Sequence, residues 1–520
     1  MSIGNAPQFY PNTLSPVAIS EDSLKDTLKQ LQEAVQRGAM LLQENCPPLK
    51  DWGKSHNTGF YAGLPGIVLT FLRLDHQVKS LGFDSQRFHQ LAIERVLPEG
   101  PDVPILHERV SPFGSSSALA GPILRILASR DLKTAVSSND TECIQKVMRI
   151  ALNNGHMVSH GGSLMGSDEV LFGRAGLLWA LLNLRLRGYE DKTAQALTLV
   201  FKEIPRLVDR IIASGIVGRE DFISKHGDQD ALPLMWHWKE DRYSLGAVHG
   251  IGKSGILSSL LACTPEELSN GAERDYLPLI AGTITGLCKI CIANSGHLPT
   301  SLPFHGSSRR SSPLVQICHG SPGFLNLMAC ARRNRPLVST FWQPEWDKVI
   351  SMACDRVWKE GVLYKGGSLC HGITGNAWSL LLLHDSFQYD EDLMETTRRN
   401  YVARTGDVDL ASNASELTGD YFLARALALL LEARKTPPYS DPKRDSPLYR
   451  MPDRPYSLAE GLAGTVCAWA NACVILQSRL WSTHIQKDPS SHDLDAMYQE
   501  YESQKLEIPI LAYHKPTGLL

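Results

Sequence analysis

No stretch of the 520-residue chain stays apolar for the roughly 18 residues that a membrane span requires, because Gly, Arg or His breaks every long run. The opening residues, MSIGNAPQFYPN, lack both the basic and the apolar region of a secretory signal. An excess of one charge is missing too: 52 Lys and Arg face 55 Asp and Glu, a net charge of -3, which leaves no electrostatic footprint for nucleic acid or an anionic membrane. Short alternating runs of Val, Ile and Thr between turn residues are scarce, which excludes a large sheet. Eleven cysteines form an odd count spread over a long chain. That pattern suits the reduced thiols of a cytoplasmic protein and not a secreted disulfide framework.

Apolar residues at helical spacing occur throughout, so the chain reads as all-α. One amphipathic helix follows the cap-like Asp22-Ser23 and sets Leu24, Leu28, Leu31, Val35 and Ala39 on one stripe. A second stripe runs through Trp346, Val349, Ile350, Ala353 and Val357. Between such helices a short Gly motif returns seven times, each copy followed by a helix apolar nearly all round. The copies include Gly63-Leu-Pro-Gly66, Ala118-Leu-Ala-Gly121, Gly173-Arg-Ala-Gly176, His249-Gly250 through Gly255, Cys318-His319-Gly320-Ser-Pro-Gly323, Cys370-His371-Gly372-Ile-Thr-Gly375 and Glu460-Gly461-Leu-Ala-Gly464. Their second glycines stand 52 to 89 residues apart, room for one helical hairpin and a loop.

Seven hairpins, each pairing an inner apolar helix with an outer amphipathic one, can close into a double-layered α/α toroid of about 14 helices. A ring has a continuous core without a thick centre, which reconciles a long chain with one domain over residues 1–520. The repeat core is expected over about 20–480, with a polar tail over about 481–520, partly disordered or packed outside. Gly at each inner-helix start is expected to let backbones crowd near the axis and to leave free N–H groups at the mouth.

Three copies carry His or Cys where the others carry small residues, so those side chains should converge on one rim. Two Cys-His pairs, Cys318-His319 and Cys370-His371, supply enough soft sulfur and imidazole for zinc. Spacing leaves open a closed Cys2His2 site or a three-ligand site with a free position. His249 lies in the repeat slot of the Cys-His pairs and is a candidate acid or base. The nearby Gly246 and Gly252-Lys253-Ser254 only imitate a phosphate loop: five residues, not four, separate the glycines, and no strand precedes them.

These motifs resemble the lanthionine synthetase C-like (LanC-like) family, in its eukaryotic branch, over nearly the whole chain. Tyr-Lys365-Gly-Gly-Ser-Leu-Cys370-His371-Gly372-Ile-Thr-Gly375-Asn376-Ala is similar to its Lys-Gly-x-Gly-Leu-Cys-His-Gly-x-x-Gly-Asn-Ala. Cys318-His319-Gly320-Ser-Pro-Gly323 and Glu169-Val-Leu-Phe-Gly173-Arg174-Ala-Gly176 match two further family motifs. The resemblance implies the toroid, and one Zn2+ per chain held by Cys318, Cys370 and His371, with His319 off the metal. It also implies addition of a thiol, glutathione in the eukaryotic branch, to dehydroalanine or dehydrobutyrine residues. In that chemistry His249 is the expected proton donor with His319 next in line, Lys365 makes an electrostatic or glutathione-carboxylate contact, and Glu169 with Arg174 orients. The segment Gly250-Ile251-Gly252-Lys253-Ser254 departs from the family, being two residues longer than its His-Gly-x-x-Gly.

The expected function is therefore zinc-dependent thioether formation between glutathione or another thiol and a dehydroamino-acid residue or related electrophile. The alternative is a non-catalytic glutathione-binding scaffold. An α/α-toroid carbohydrate enzyme would need facing carboxylates, and the special copies offer none.

Overall fold

The computed structural model describes residues 8–50, 58–82, 86–100, 103–129, 136–186, 189, 191–239, 242–246, 253–269, 274–303, 313–406, 417–440, 449–487 and 492–509. Among them run twenty helices and three two-stranded ladders of two to four residues per strand. Seven inner helices follow the Gly motifs: Leu64–His76, Ala120–Ala128, Arg174–Arg185, Lys253–Leu261, Ser321–Arg333, Ile373–Gln388 and Leu462–Lys487. Each touches the next in this order, and Leu462–Lys487 returns to Leu64–His76, so the ring closes. Their burial follows from sequence: in Ile373–Gln388 every residue except Asp385 and Gln388 is buried. Trp179, Trp378 and Trp469 of these helices are fully buried, each worth several kcal/mol, about 3–5 on truncation to Ala.

Seven outer helices precede them in the chain: Glu21–Asn45, Gln86–Ile93, Ser138–Asn153, Ile204–His226, Leu277–Ala293, Pro344–Glu360 and Gly419–Ala433. The expected stripes are buried in Glu21–Asn45 and Pro344–Glu360. The first helix starts before the anticipated cap. Ser20 is extended and its side chain accepts from the Ser23 N–H, which puts Glu21 and Asp22 in the first turn where the helix dipole favours them. The fourteen ring helices are joined by six shorter or peripheral ones, Val78–Leu81, Asp191–Phe201, Pro265–Leu268, Arg335–Phe341, Glu391–Thr405 and His492–Glu502, hence twenty.

The tail is not loose over 492–509. His492–Glu502 packs on Leu462–Lys487, and Leu506 and Ile508 are buried beyond it. Gln504 bonds Ser80, and the carbonyl of Glu507 accepts from the buried guanidinium of Arg73. Among the described residues no helix is long and apolar enough to cross a membrane, and all eleven cysteines are free thiols.

The recurring second glycine has a cause different from crowding at the axis. A Cβ at Gly375 would lie 1.9 Å from the carbonyl oxygen of Leu369, and one at Gly176 2.0 Å from that of Val170. The same approach recurs at Gly66 and Gly464, so these four inner helices start against their own entry loops, six residues back. The loop also takes up the helix's first amides: Ile373 N–H donates to Gly366 and Gly375 N–H to Ser368, both at 2.9 Å. At Ile373–Gln388 those N–H groups are taken up by the loop and are not the free groups at the mouth expected from the sequence.

Candidate metal centre

The entry loops are stitched to one another around the mouth. Cys318 N–H donates to the Cys370 carbonyl at 3.1 Å, Cys370 N–H to Ala459 at 2.8 Å, Ala459 N–H to Tyr61 at 3.0 Å, and Tyr61 N–H to Phe113 at 3.0 Å. This chain of bonds fixes the relative positions of side chains from the first, fifth, sixth and seventh repeats. Gly320 adds a local requirement: its φ of 115° and its approach to the Leu314 carbonyl admit no side chain, and this turn aims Cys318 inward.

The stitching brings Cys318, Cys370 and His371 together, their donor atoms all within 4.8 Å of one another. Cys370 is fully buried, Cys318 nearly so, and His371 partly exposed. Zinc holds thiolate at about 2.3 Å and imidazole at about 2.0–2.1 Å, so neighbouring donors on a tetrahedron stand roughly 3.5 Å apart. Three corners of such a site fit this spread. Burial pushes the Cys370 thiol well up, the adjacent Cys318 adds to the rise, and the Tyr61 hydroxyl opposes it. Two buried sulfurs at such spacing become thiolates only beside a cation, which is what a divalent ion supplies.

Two neutral side chains donate to these sulfurs. Tyr61 Oη lies 2.6 Å from Cys370 Sγ and Gln316 Nε2 3.0 Å from Cys318 Sγ. Neither was among the residues singled out from sequence, although a signal existed for Tyr61. It stands two residues before Gly63, as Cys370 stands two before Gly372, so it occupies the cysteine slot of the first repeat. Glu460 likewise occupies the slot of His371 in the seventh repeat, and its charge helps raise both Tyr61 and Cys370.

The family model for the lanthionine synthetase C-like protein matches residues 54–403 of this chain. The chain belongs to the LanC-like family. A relative from Danio rerio, named glutathione S-transferase LANCL1, is 28% identical over 324 residues, 62% of this chain and 69% of that protein. LanC-like protein GCL1 of Arabidopsis thaliana is 29% identical over 304 residues, 58% of this chain and 54% of that protein, so the match spans about half of the plant relative. A structural match to nisin cyclase has a TM-score of 0.33 at 13% identity, covering 87% of this chain and 93% of that one.

The remaining residues singled out from sequence take different places in this LanC-like ring. His319 is partly exposed beside Cys318, and the group of three donors does not include it. Lys365 is partly exposed in the turn between strand Val362–Leu363 and the entry loop of Ile373–Gln388. His249 lies outside the described residues, as does most of the two-residue-longer segment after it. Glu169 is 4% exposed. Burial lowers the Arg109 pKa, and Glu108 and then Glu169 oppose that fall. Arg174 is spread over Asp168 Oδ1 at 2.6 Å, the carbonyl of Gly155 at 3.0 Å and Ser214 Oγ at 2.9 Å. Its guanidinium thus pins the entry loop to the outer layer, and its carboxylate partner is Asp168, a residue not singled out from sequence.

Proposed function

We propose that this LanC-like protein is a zinc-dependent transferase that adds a thiol, glutathione in the first instance, to dehydroalanine or dehydrobutyrine residues or a related electrophile. The observation that carries the reading is the convergence of two cysteines and one histidine on a single point at the mouth of the ring. Three donors leave a tetrahedral position for an entering ligand. A zinc ion held by Cys318, Cys370 and His371 would ionise an entering thiol at neutral pH. The name of the Danio rerio relative supports glutathione as that thiol.

In the reaction the thiolate sulfur attacks Cβ of the dehydroamino acid and a C–S bond forms. The π electrons of the Cα–Cβ bond move onto the carbonyl as an enolate, which then takes a proton at Cα. His249 is the assigned donor of that proton, with His319 next in line. Lys365 is assigned to a carboxylate of glutathione, where an ammonium acts as a compact point charge. Arg174 and Glu169 act by positioning: Arg174 holds the entry loop that carries Glu169 at the start of the third inner helix. A cytoplasmic location suits both the free thiols and a glutathione substrate.

The test is to incubate the full chain, with its zinc content measured, with glutathione and a dehydroalanine peptide, and to weigh the peptide by mass spectrometry. The expected product carries one glutathione per dehydroalanine. Zinc-loaded protein that binds glutathione yet yields no adduct above the uncatalysed rate would establish the scaffold alternative instead.

A further inference from the structure

Each of the two cysteine sulfurs in the centre accepts a hydrogen bond from its own buried, uncharged side chain: Tyr61 on Cys370 at 2.6 Å and Gln316 on Cys318 at 3.0 Å. Both donors are themselves shielded, Tyr61 being 7% and Gln316 6% exposed. Both are also held from behind. Tyr61 is fixed by backbone bonds to Phe113 and Ala459, and Gln316 sits in the turn closed by the Val315–Gly320 bridge. A Lys or Arg at either place would repel a divalent ion; a phenol and a carboxamide do not.

Thiol addition at a centre built from cysteines has a selectivity problem. Three sulfurs gather near one electrophile, and only the entering one is meant to attack. A hydrogen bond to a thiolate draws off part of its charge and lowers its nucleophilicity. We propose that Tyr61 and Gln316 are positioning residues that quench the two resident sulfurs, so that the entering thiol is the nucleophile. This rests on the metal-centre reading above.

The test uses the full chain loaded with zinc or with cobalt(II), in wild type, Tyr61→Phe and Gln316→Leu. Tyr61→Phe keeps the ring and removes only the hydroxyl, and Gln316→Leu keeps a similar volume and removes the carboxamide with its donor. Iodoacetamide is the probe: a cysteine sulfur forms a C–S bond with its methylene carbon and iodide leaves, and peptide mass spectrometry assigns the modified residue. With zinc bound, Tyr61→Phe should speed modification of Cys370 by roughly tenfold and leave Cys318 as in wild type, and Gln316→Leu should do the reverse. In the cobalt forms each variant should move the thiolate-to-metal charge-transfer band to lower energy. General loosening would speed both cysteines together in either variant, and that result, or unchanged rates and bands, overturns the proposal. Absence of a thiolate charge-transfer band in cobalt-treated wild type would instead remove the metal centre, and this proposal with it.

Discussion

The hydroxyl of Tyr61 lies 2.6 Å from the sulfur of Cys370, a residue 309 positions later in the chain. The contact crosses the seam where the ring closes, through Ala459, whose backbone bonds both Tyr61 and Cys370. Cys318 comes from the fifth repeat, Cys370 and His371 from the sixth, Glu460 from the seventh and Tyr61 from the first. No two adjacent repeats contain the whole set. The three donors that could hold a metal lie in the adjacent fifth and sixth repeats, whereas the bond from Tyr61 to Cys370 exists only where the ring closes.

Cys370→Ala should lose the metal and stay folded, because the helical core around it is apolar and continuous and does not depend on one ion. Metal content by elemental analysis and helicity by circular dichroism read the two halves of this statement. His319→Ala should keep the metal. Full zinc occupancy in Cys370→Ala would overturn the ligand assignment, and loss of zinc in His319→Ala would make the site a closed, structural one.

Arg174→Met should destabilise the protein by about 3–5 kcal/mol, since it leaves the buried Asp168 carboxylate without its guanidinium. Burial already raises the Asp168 pKa despite Arg174, so the pair sits where an unpaired charge is costly. Adding Asp168→Asn to Arg174→Met should recover part of the loss in urea unfolding. A double variant no more stable than Arg174→Met would show that the guanidinium's bonds to Gly155 and Ser214 carry the effect.

The ring was legible in the sequence because its period is written twice, in the Gly motifs and in the all-round apolar helices after them. Ile373–Gln388 and Arg174–Arg185 read as buried from their own residues alone. The candidate metal donors were legible because Cys318-His319 and Cys370-His371 break the pattern at matched positions. Tyr61 was hidden since an aromatic residue in an apolar repeat reads as core, and its hydroxyl has meaning only once Cys370 is known to face it. Asp168 was not singled out for a related reason: which of two adjacent carboxylates turns toward Arg174 is set by the entry loop, where Arg174 N–H donates to the Ser167 carbonyl at 2.9 Å. The tail was left between disorder and packing because its burial depends on partners such as Arg73 and Gln77, more than 400 residues earlier in the chain.

Stability should fall between pH 7 and pH 5 because of His384. Burial lowers its pKa to about 4, outweighing the bond from Nδ1–H to the Gly419 carbonyl and the charges of Asp385 and Asp420, while Lys505 lowers it further. A histidine with an ordinary pKa near 6.5 in the unfolded chain binds a proton there first, so acid favours unfolding as pH drops below about 6.5, and the loss levels off near pH 4. At pH 5 this one group costs about 2 kcal/mol. Urea titrations across that range should show the loss in wild type and much less of it in His384→Gln.

Ending the chain at residue 491 should destabilise it strongly, by more than about 3 kcal/mol. Arg73 would lose the Glu507 carbonyl that accepts from its buried guanidinium. Leu506 and Ile508 would leave the inner-helix surface they cover. We expect the full chain to unfold in one calorimetric transition, in keeping with a single domain over 1–520. Two separated transitions would divide it.

His249→Ala should keep zinc and glutathione binding but lose most of the addition rate, roughly 10² to 10⁴-fold, the usual scale for one general acid. The argument is positional. His249 directly precedes Gly250, as His319 precedes Gly320 and His371 precedes Gly372, so the three imidazoles hold equivalent places in the fourth, fifth and sixth repeats. His371 is one of the three donors that could hold a metal ion, which makes the histidine in the same sequence slot of the fourth repeat the first candidate for the acid. Protonating the enolate is a transition-state task separate from making the thiolate, so binding should survive the change. The measurement is single-turnover adduct formation on a dehydroalanine peptide at saturating glutathione. Wild-type rates in His249→Ala, with Cys370→Ala inactive, would move the proton to His319, where the same substitution should then abolish turnover without removing the metal.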